Sequence, residues 1–170
     1  MKHWHDECAV FGIWNHPEAS RLAYLGLYAL QHRGQEASGV ISLKDDMHLE
    51  HKGFGLVADV FTEEDLDRLK GPAAIGHNRY STTGANELFN IQPLKAVLYN
   101  GPLSVAHNGN IVNSHLLRRE LQAAGAIFQG TNDTEILLHL VSRNQSHDLV
   151  RCLQEELVKL DGAYSMVLMS

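Results

Sequence analysis

The chain predicts an α+β layered domain, on two observations. Strand-like runs come in pairs joined by tight turns: residues 37–43 with 47–52 across Lys44-Asp45-Asp46, and residues 95–99 with 103–106 across Asn100-Gly101. Such turns make the paired strands antiparallel. The helical segments are grouped rather than inserted one per strand, which argues against a parallel, doubly wound sheet. At 170 residues, without a repeat, low-complexity stretch or linker, the chain is one domain, large enough to bury a core without disulfide or metal support.

Residues 9–14, AVFGIW, are a short apolar run suited to a buried strand. Asn15-His16-Pro17 then turns the chain into a helix whose Leu22, Leu25, Ala29 and Leu30 keep helical spacing. Asn15 is its expected cap, Pro17 falls in its first turn, and it should end near Gly34. The first hairpin follows, then a short helix over residues 63–68 and a strand over residues 73–79. Small turn-forming residues make a loop of 81–86. Beyond the second hairpin, residues 114–124 and 133–142 read as helices, the latter opened by Asn132 with Glu135 three residues on, the pattern of a capping box. Residues 147–159 make a third helix, Gly162 breaks it, and residues 163–169 alternate as a strand. A chain that stops inside a strand is expected to be cut from a longer protein.

Composition narrows the function. Lys and Arg number 14 against 20 Asp and Glu, a net charge of -6, which leaves no electrostatic footprint for a nucleic-acid partner. No window approaches the roughly 18 apolar residues of a membrane span, and the start lacks the charged region and apolar core of a secretory signal. A soluble, cytoplasmic protein with no membrane partner is expected. The two cysteines, Cys8 and Cys152, match neither a disulfide framework nor a paired zinc spacing, and the 11 histidines fall in no HExxH or Cys-x-x-Cys pattern, so no metal is expected here.

Several stretches carry possible chemistry, each with a plain structural alternative. Cys8, in DECAVFGI, is either a core cysteine or a nucleophile. If residues 1–7 were removed, its α-amino group, with a reference pKa of about 7.7–8.0 beside a thiol near 8.5, would be a base on the same residue. Arg79, in GHNRYSTTG, ends a strand and can hold a carboxylate by two parallel hydrogen bonds, or can be a surface ion pair. His77 shares its face, as a core histidine or an acid-base group. Asn108 and Gly109, in HNGNIVN, read as the end of a strand before a helix, where a side-chain amide and a glycine N–H can hold an oxyanion; alone, they are a turn. Asp133, in TNDTE, opens a helix and either favours its dipole or binds a substrate ammonium. Arg33, in LQHRGQEASG, reads by itself as a surface residue at a helix end, and Cys152 as a core cysteine.

Taken together, ECAVFGIW, YLGLYALQHRGQEASG, GHNRYSTTG, AHNGNIVN and NDTE, in that order, closely resemble the glutaminase domain of the amidophosphoribosyltransferases, from residue 7 to residue 170. The resemblance implies an N-terminal nucleophile hydrolase fold, a four-layer αββα sandwich of antiparallel sheets, here truncated at its C-terminal end. It implies a propeptide of residues 1–7 and a class II glutamine amidotransferase domain from Cys8 to residue 170. It implies glutamine as substrate, Cys8 as nucleophile, Asn108 and Gly109 as oxyanion hole, Arg79 on the α-carboxylate and Asp133 on the α-amino group. Arg33 falls near the nucleophile, and Thr82 in a loop that closes over glutamine. Ammonia would pass to phosphoribosyl pyrophosphate in a phosphoribosyltransferase domain absent from this segment, giving 5-phosphoribosylamine in the first step of purine synthesis. No cofactor is implied within this segment; Mg2+ with phosphoribosyl pyrophosphate, and in some members a [4Fe-4S] cluster, belong to residues beyond it, and a homo-oligomer is expected. A different ammonia acceptor, or an unprocessed fragment without activity, are the competing readings. Ala9 and Asn78 stand where the family often has glycine and valine.

Overall fold

The computed structural model describes residues 8–80, 87–99 and 101–170. The propeptide expected at 1–7, the loop of 81–86 with Thr82, and Asn100 of the second turn lie outside the described residues.

Two antiparallel sheets form the centre. The first has the order β1-β4-β2-β3, with β1 Ala9–Trp14, β2 Ala37–Lys44, β3 Met47–Phe54 and β4 Ala73–Arg79. β2 and β3 form the expected hairpin, its two-residue turn made by Asp45 and Asp46 at φ 49° and 60°, the left-handed values that match the twist of the strands they join. The second sheet has the order β5-β6-β7, with β5 Leu94–Leu98, β6 Gly101–Ile111 and β7 Gly162–Met169.

Strand alternation sorts the side chains into layers. Ile41, Ala73 and Ile75 of the first sheet meet Ala106 and Met169 of the second, the apolar filling between the sheets. On the outer side of the first sheet, Val40 and Ala74 pack against helices α1 Ala19–Ala29, α2 Val57–Val60 and α3 Glu63–Arg68. On the outer side of the second, Leu103, Val105 and Ile111 pack against α4 Ser114–Ala123, α5 Glu135–Arg143 and α6 Leu149–Leu157. The result is the αββα sandwich. Among the described residues no helix is long and apolar enough to cross a membrane.

Three elements depart from expectation. α1 starts at Ala19 rather than beside Asn15, which instead takes φ 59° in the turn. The helix also buries Ala19, Ser20, Ala23 and Leu27, leaving Leu25 56% exposed. Small residues bring it close to the sheet: a methyl group on Gly26 would meet the Phe11 ring at 2.5 Å. Reading bulky residues as the buried face therefore misplaces that face by part of a turn. β6 runs on to Ile111, because its polar end pairs with β7, Asn108 opposite Ser165 and Gly109 opposite Tyr164. The Asn-Gly pair thus lies within a strand, not at its end. The box expected at Asn132 is half made: its Oδ1 accepts the Glu135 N–H at 3.1 Å, but the Glu135 carboxylate turns to the N–H groups of Gln129 and Gly130.

Asn78 is fully buried on β4 yet satisfied, its amide donating to Leu27 O at 2.7 Å and its oxygen accepting from Ser38 Oγ at 3.0 Å. A polar side chain is tolerated there because both ends have partners.

Candidate active site

Cys8 lies one residue ahead of β1, whose Ala9 pairs with Asn78, so the register carries the cysteine toward Arg79 at the end of β4. Its half-buried thiol is 3.9 Å from Tyr80 O, and its own carbonyl accepts from Arg33 Nε at 3.1 Å. Arg33 reaches it from a 3-10 turn of Gln31–Arg33 that follows α1. The next residue is held hard against β4: a methyl group on Gly34 would lie 2.9 Å from Arg79 O. Only glycine lets the turn approach closely enough for Arg33 to touch the backbone of Cys8.

The Arg79 side chain is 8% exposed, with Nε 3.4 Å from a Glu36 carboxylate oxygen. Its Nη1 is buried and has no hydrogen-bond partner among the described residues. A guanidinium that is buried and only partly engaged retains donors for a ligand anion.

Asp133 sits between α4 and α5. One carboxylate oxygen accepts the Ile111 N–H at 2.9 Å, and the other is 3.5 Å from His107 Nδ1, itself 2.9 Å from Thr134 Oγ1. Burial pushes its pKa up, but His107 and the Ile111 N–H together outweigh burial and hold it below the usual carboxylate value. The stabilisation this gives is present above about pH 4 and is lost as the pH falls through the folded value. Asp133 is therefore anionic at neutral pH, where an amino acid also carries its ammonium.

The loop before Asp133 is braced from outside. Arg118 on α4 donates to Gly130 O at 3.0 Å and Asn132 O at 2.8 Å. The Asn90 side-chain oxygen accepts from the N–H groups of Thr131 and Asn132 at 2.8 and 3.2 Å. Neither residue is apparent from sequence, because each acts on backbone groups of a loop remote in the chain, or on the far side of a turn, and no spacing announces that.

A cavity of about 190 Å3 brings Cys8, His77, Arg79, Asn110, Thr131 and Asp133 together in its wall. Asn108 and Gly109 are not in that wall; Asn108 is on the same face of β6 as Asn110, two residues on. A larger groove of about 600 Å3, lined by Lys52, Phe89, Val97 and His139 among others, holds neither cysteine. Cys152 is in the other core, 3% exposed, its thiol pointing to Val141 O.

Residues 77–170 match the model of the glutamine amidotransferase domain family. The chain is 43% identical over 171 residues to the amidophosphoribosyltransferase of Bacillus subtilis, covering all of this chain and 36% of that protein. It is 45% identical over 166 residues to an amidophosphoribosyltransferase sequence of Lacticaseibacillus casei, covering 97% of this chain and 86% of that sequence. The solved structure of glutamine phosphoribosylpyrophosphate amidotransferase from B. subtilis, complexed with ADP and GMP, superposes with a TM-score of 0.88 at 43% identity, over 95% of this chain and 35% of that one. The sandwich and the family match define a glutamine amidotransferase domain with the N-terminal nucleophile hydrolase fold. It spans about a third of the length of the B. subtilis enzyme. The chain belongs to the amidophosphoribosyltransferase family.

Proposed function

We propose that the domain, residues 8–170, hydrolyses the side-chain amide of glutamine with Cys8 as nucleophile once residues 1–7 have been removed. One observation carries the reading: a thiol, a buried guanidinium with an unengaged N–H and a charged carboxylate share one cavity. An α-amino acid offers the complementary charges. Arg79 takes the α-carboxylate and Asp133 the α-ammonium, which leaves the side-chain amide for Cys8.

The Cys8 sulfur attacks the amide carbon, and the α-amino group freed by processing takes the thiol proton and passes it to the departing ammonia. The Asn108 amide and the Gly109 N–H hold the oxyanion. Water then cleaves the γ-glutamyl thioester, releasing glutamate and restoring the thiol. Arg33 fixes the Cys8 carbonyl, and the family resemblance gives Thr82 a part in binding glutamine. In the longer protein the ammonia passes to phosphoribosyl pyrophosphate, giving 5-phosphoribosylamine, the first committed intermediate of purine synthesis. The family names of its relatives favour this acceptor over another. In this reading Mg2+ with phosphoribosyl pyrophosphate and, in some members, a [4Fe-4S] cluster belong to residues beyond this segment, whose two cysteines fall short of the four thiolates a cluster takes. The reading includes a cytoplasmic homo-oligomer.

The test is the intact mass of the purified protein together with labelling by a glutamine-like electrophile. Loss of residues 1–7 and one adduct at Cys8 are expected; retention of the leader with no adduct would end the catalytic reading. Arg79→Lys and Asp133→Asn are each expected to raise KM for glutamine about ten- to a hundredfold, the loss of a charge-assisted contact of about 1.5–3 kcal/mol, with a smaller effect on kcat. Steady-state kinetics with glutamine as the varied substrate checks this.

A further inference from the structure

His77 is 1% exposed in the wall of the Cys8 cavity, two residues before Arg79 on the same face of β4. Its Nε2 lies 3.1 Å from the His107 carbonyl, on the opposite sheet. A carbonyl only accepts, so Nε2 carries the proton and Nδ1 is a lone pair; that Nδ1 is buried with no partner among the described residues. Burial drives the ring's pKa down to about 3, against the opposing pull of the His107 carbonyl.

The receiving end is unusual in its pairing. β5 stops pairing with β6 at Leu94 opposite Val105, so two residues further on His107 has no partner from β5. Side chains take over: Gln92 Oε1 accepts the His107 N–H at 2.7 Å, and His77 donates to the His107 carbonyl. The next two residues are Asn108 and Gly109.

We propose that His77 is a positioning residue for amide hydrolysis: through Nε2–H it ties β4, the strand paired with the nucleophile's own strand, to the His107 carbonyl, and so sets Cys8 against the oxyanion donors Asn108 and Gly109. The inference rests on the glutaminase reading above. Among the described residues no other side-chain hydrogen bond joins the first sheet to this part of β6; a link between β3 and β6, His48 Nδ1 to Ser104 Oγ at 2.7 Å, is three residues further from the site.

The test uses the intact, processed protein. If the unsubstituted protein hydrolyses no glutamine in a Cys8-dependent way, it is the glutaminase reading that fails, before His77 is touched. Given activity, His77→Ala is expected to lower kcat about a hundredfold, the scale of an ångström of misplacement, with KM for glutamine changed less than about twofold. His77→Gln, whose amide nitrogen reaches the Nε2 position, is expected to recover most of the rate, and His77→Asn, which reaches only Nδ1, is not. An unchanged kcat in His77→Ala, a loss confined to KM, a folded but inactive His77→Gln, or equal rescue by Asn each overturns the assignment. Should the substitutions unfold the domain, the imidazole 15N spectrum of the unsubstituted protein decides: a neutral Nε2–H ring from pH 8 to pH 5 is expected, and a charged or Nδ1–H ring overturns it.

Discussion

Cys8→Ala is expected to eliminate glutamine hydrolysis, by a factor on the order of 10³ or more, while the domain keeps its fold. The reaction loses its nucleophile, and no other group of the cavity can form the thioester. The fold loses little, because Cys8 is half-buried ahead of β1 and belongs to none of the apolar cores. Cys152→Ala is the opposite case. Burial and the nearby Glu156 push that thiol's pKa up, so it is inert, but its sulfur fills the core under α4, α5 and α6. Stability should fall by about 1 kcal/mol, with the rate of hydrolysis near that of the parent. A glutaminase assay beside a thermal melt on both variants separates the two roles, and the intact mass of each shows whether residues 1–7 have left. Equal activity in the two variants would move the nucleophile away from Cys8.

Much of the fold was legible because the strands are bounded by strong local chemistry. Asp45-Asp46 turns one hairpin, and the apolar runs of β1 and β4 begin and end where turn residues flank them. α1 and β6 depart from the sequence pattern for a shared reason: contacts distant in sequence decide them. The face α1 buries depends on how closely small residues let it approach Phe11, and the polar half of β6 is a strand only because β7 pairs with it. The site divides in the same way. Its reactive groups stand in short motifs, and Cys8, Arg79 and Asp133 share a cavity. What holds them does not stand in motifs. Arg33 reaches Cys8 across 25 positions, Asn90 braces Thr131 across 41, and His77 reaches His107 across 30. Hydrogen bonds between segments so far apart follow from how the two sheets and the turns around them pack together, which no helical or strand period encodes.

Gly109→Ala is the second large effect expected, and it tests the geometry of β6 rather than a reactive group. Gly109 takes φ 138°, a conformation costing a side-chain-bearing residue about 1–3 kcal/mol. Its added methyl group would also meet the carbonyl oxygen of Ala163, with the Tyr164 Cα at 2.6 Å. These are backbone atoms of β7, so relief requires the strand to shift, not a side chain to swing. Gly125 provides the control: it takes φ 89° after α4, but nothing lies within 4 Å of its added methyl group. Gly125→Ala should therefore cost about 1 kcal/mol and leave hydrolysis unaffected. Gly109→Ala should cost about 3 kcal/mol or more and lower kcat as well, because the strand that must move carries the residues paired with Asn108 and Gly109. Urea unfolding and single-substrate kinetics on both variants check this. If the two lost the same stability and Gly109→Ala kept its rate, the close approach of β6 and β7 would not be what holds Asn108 and Gly109 in place.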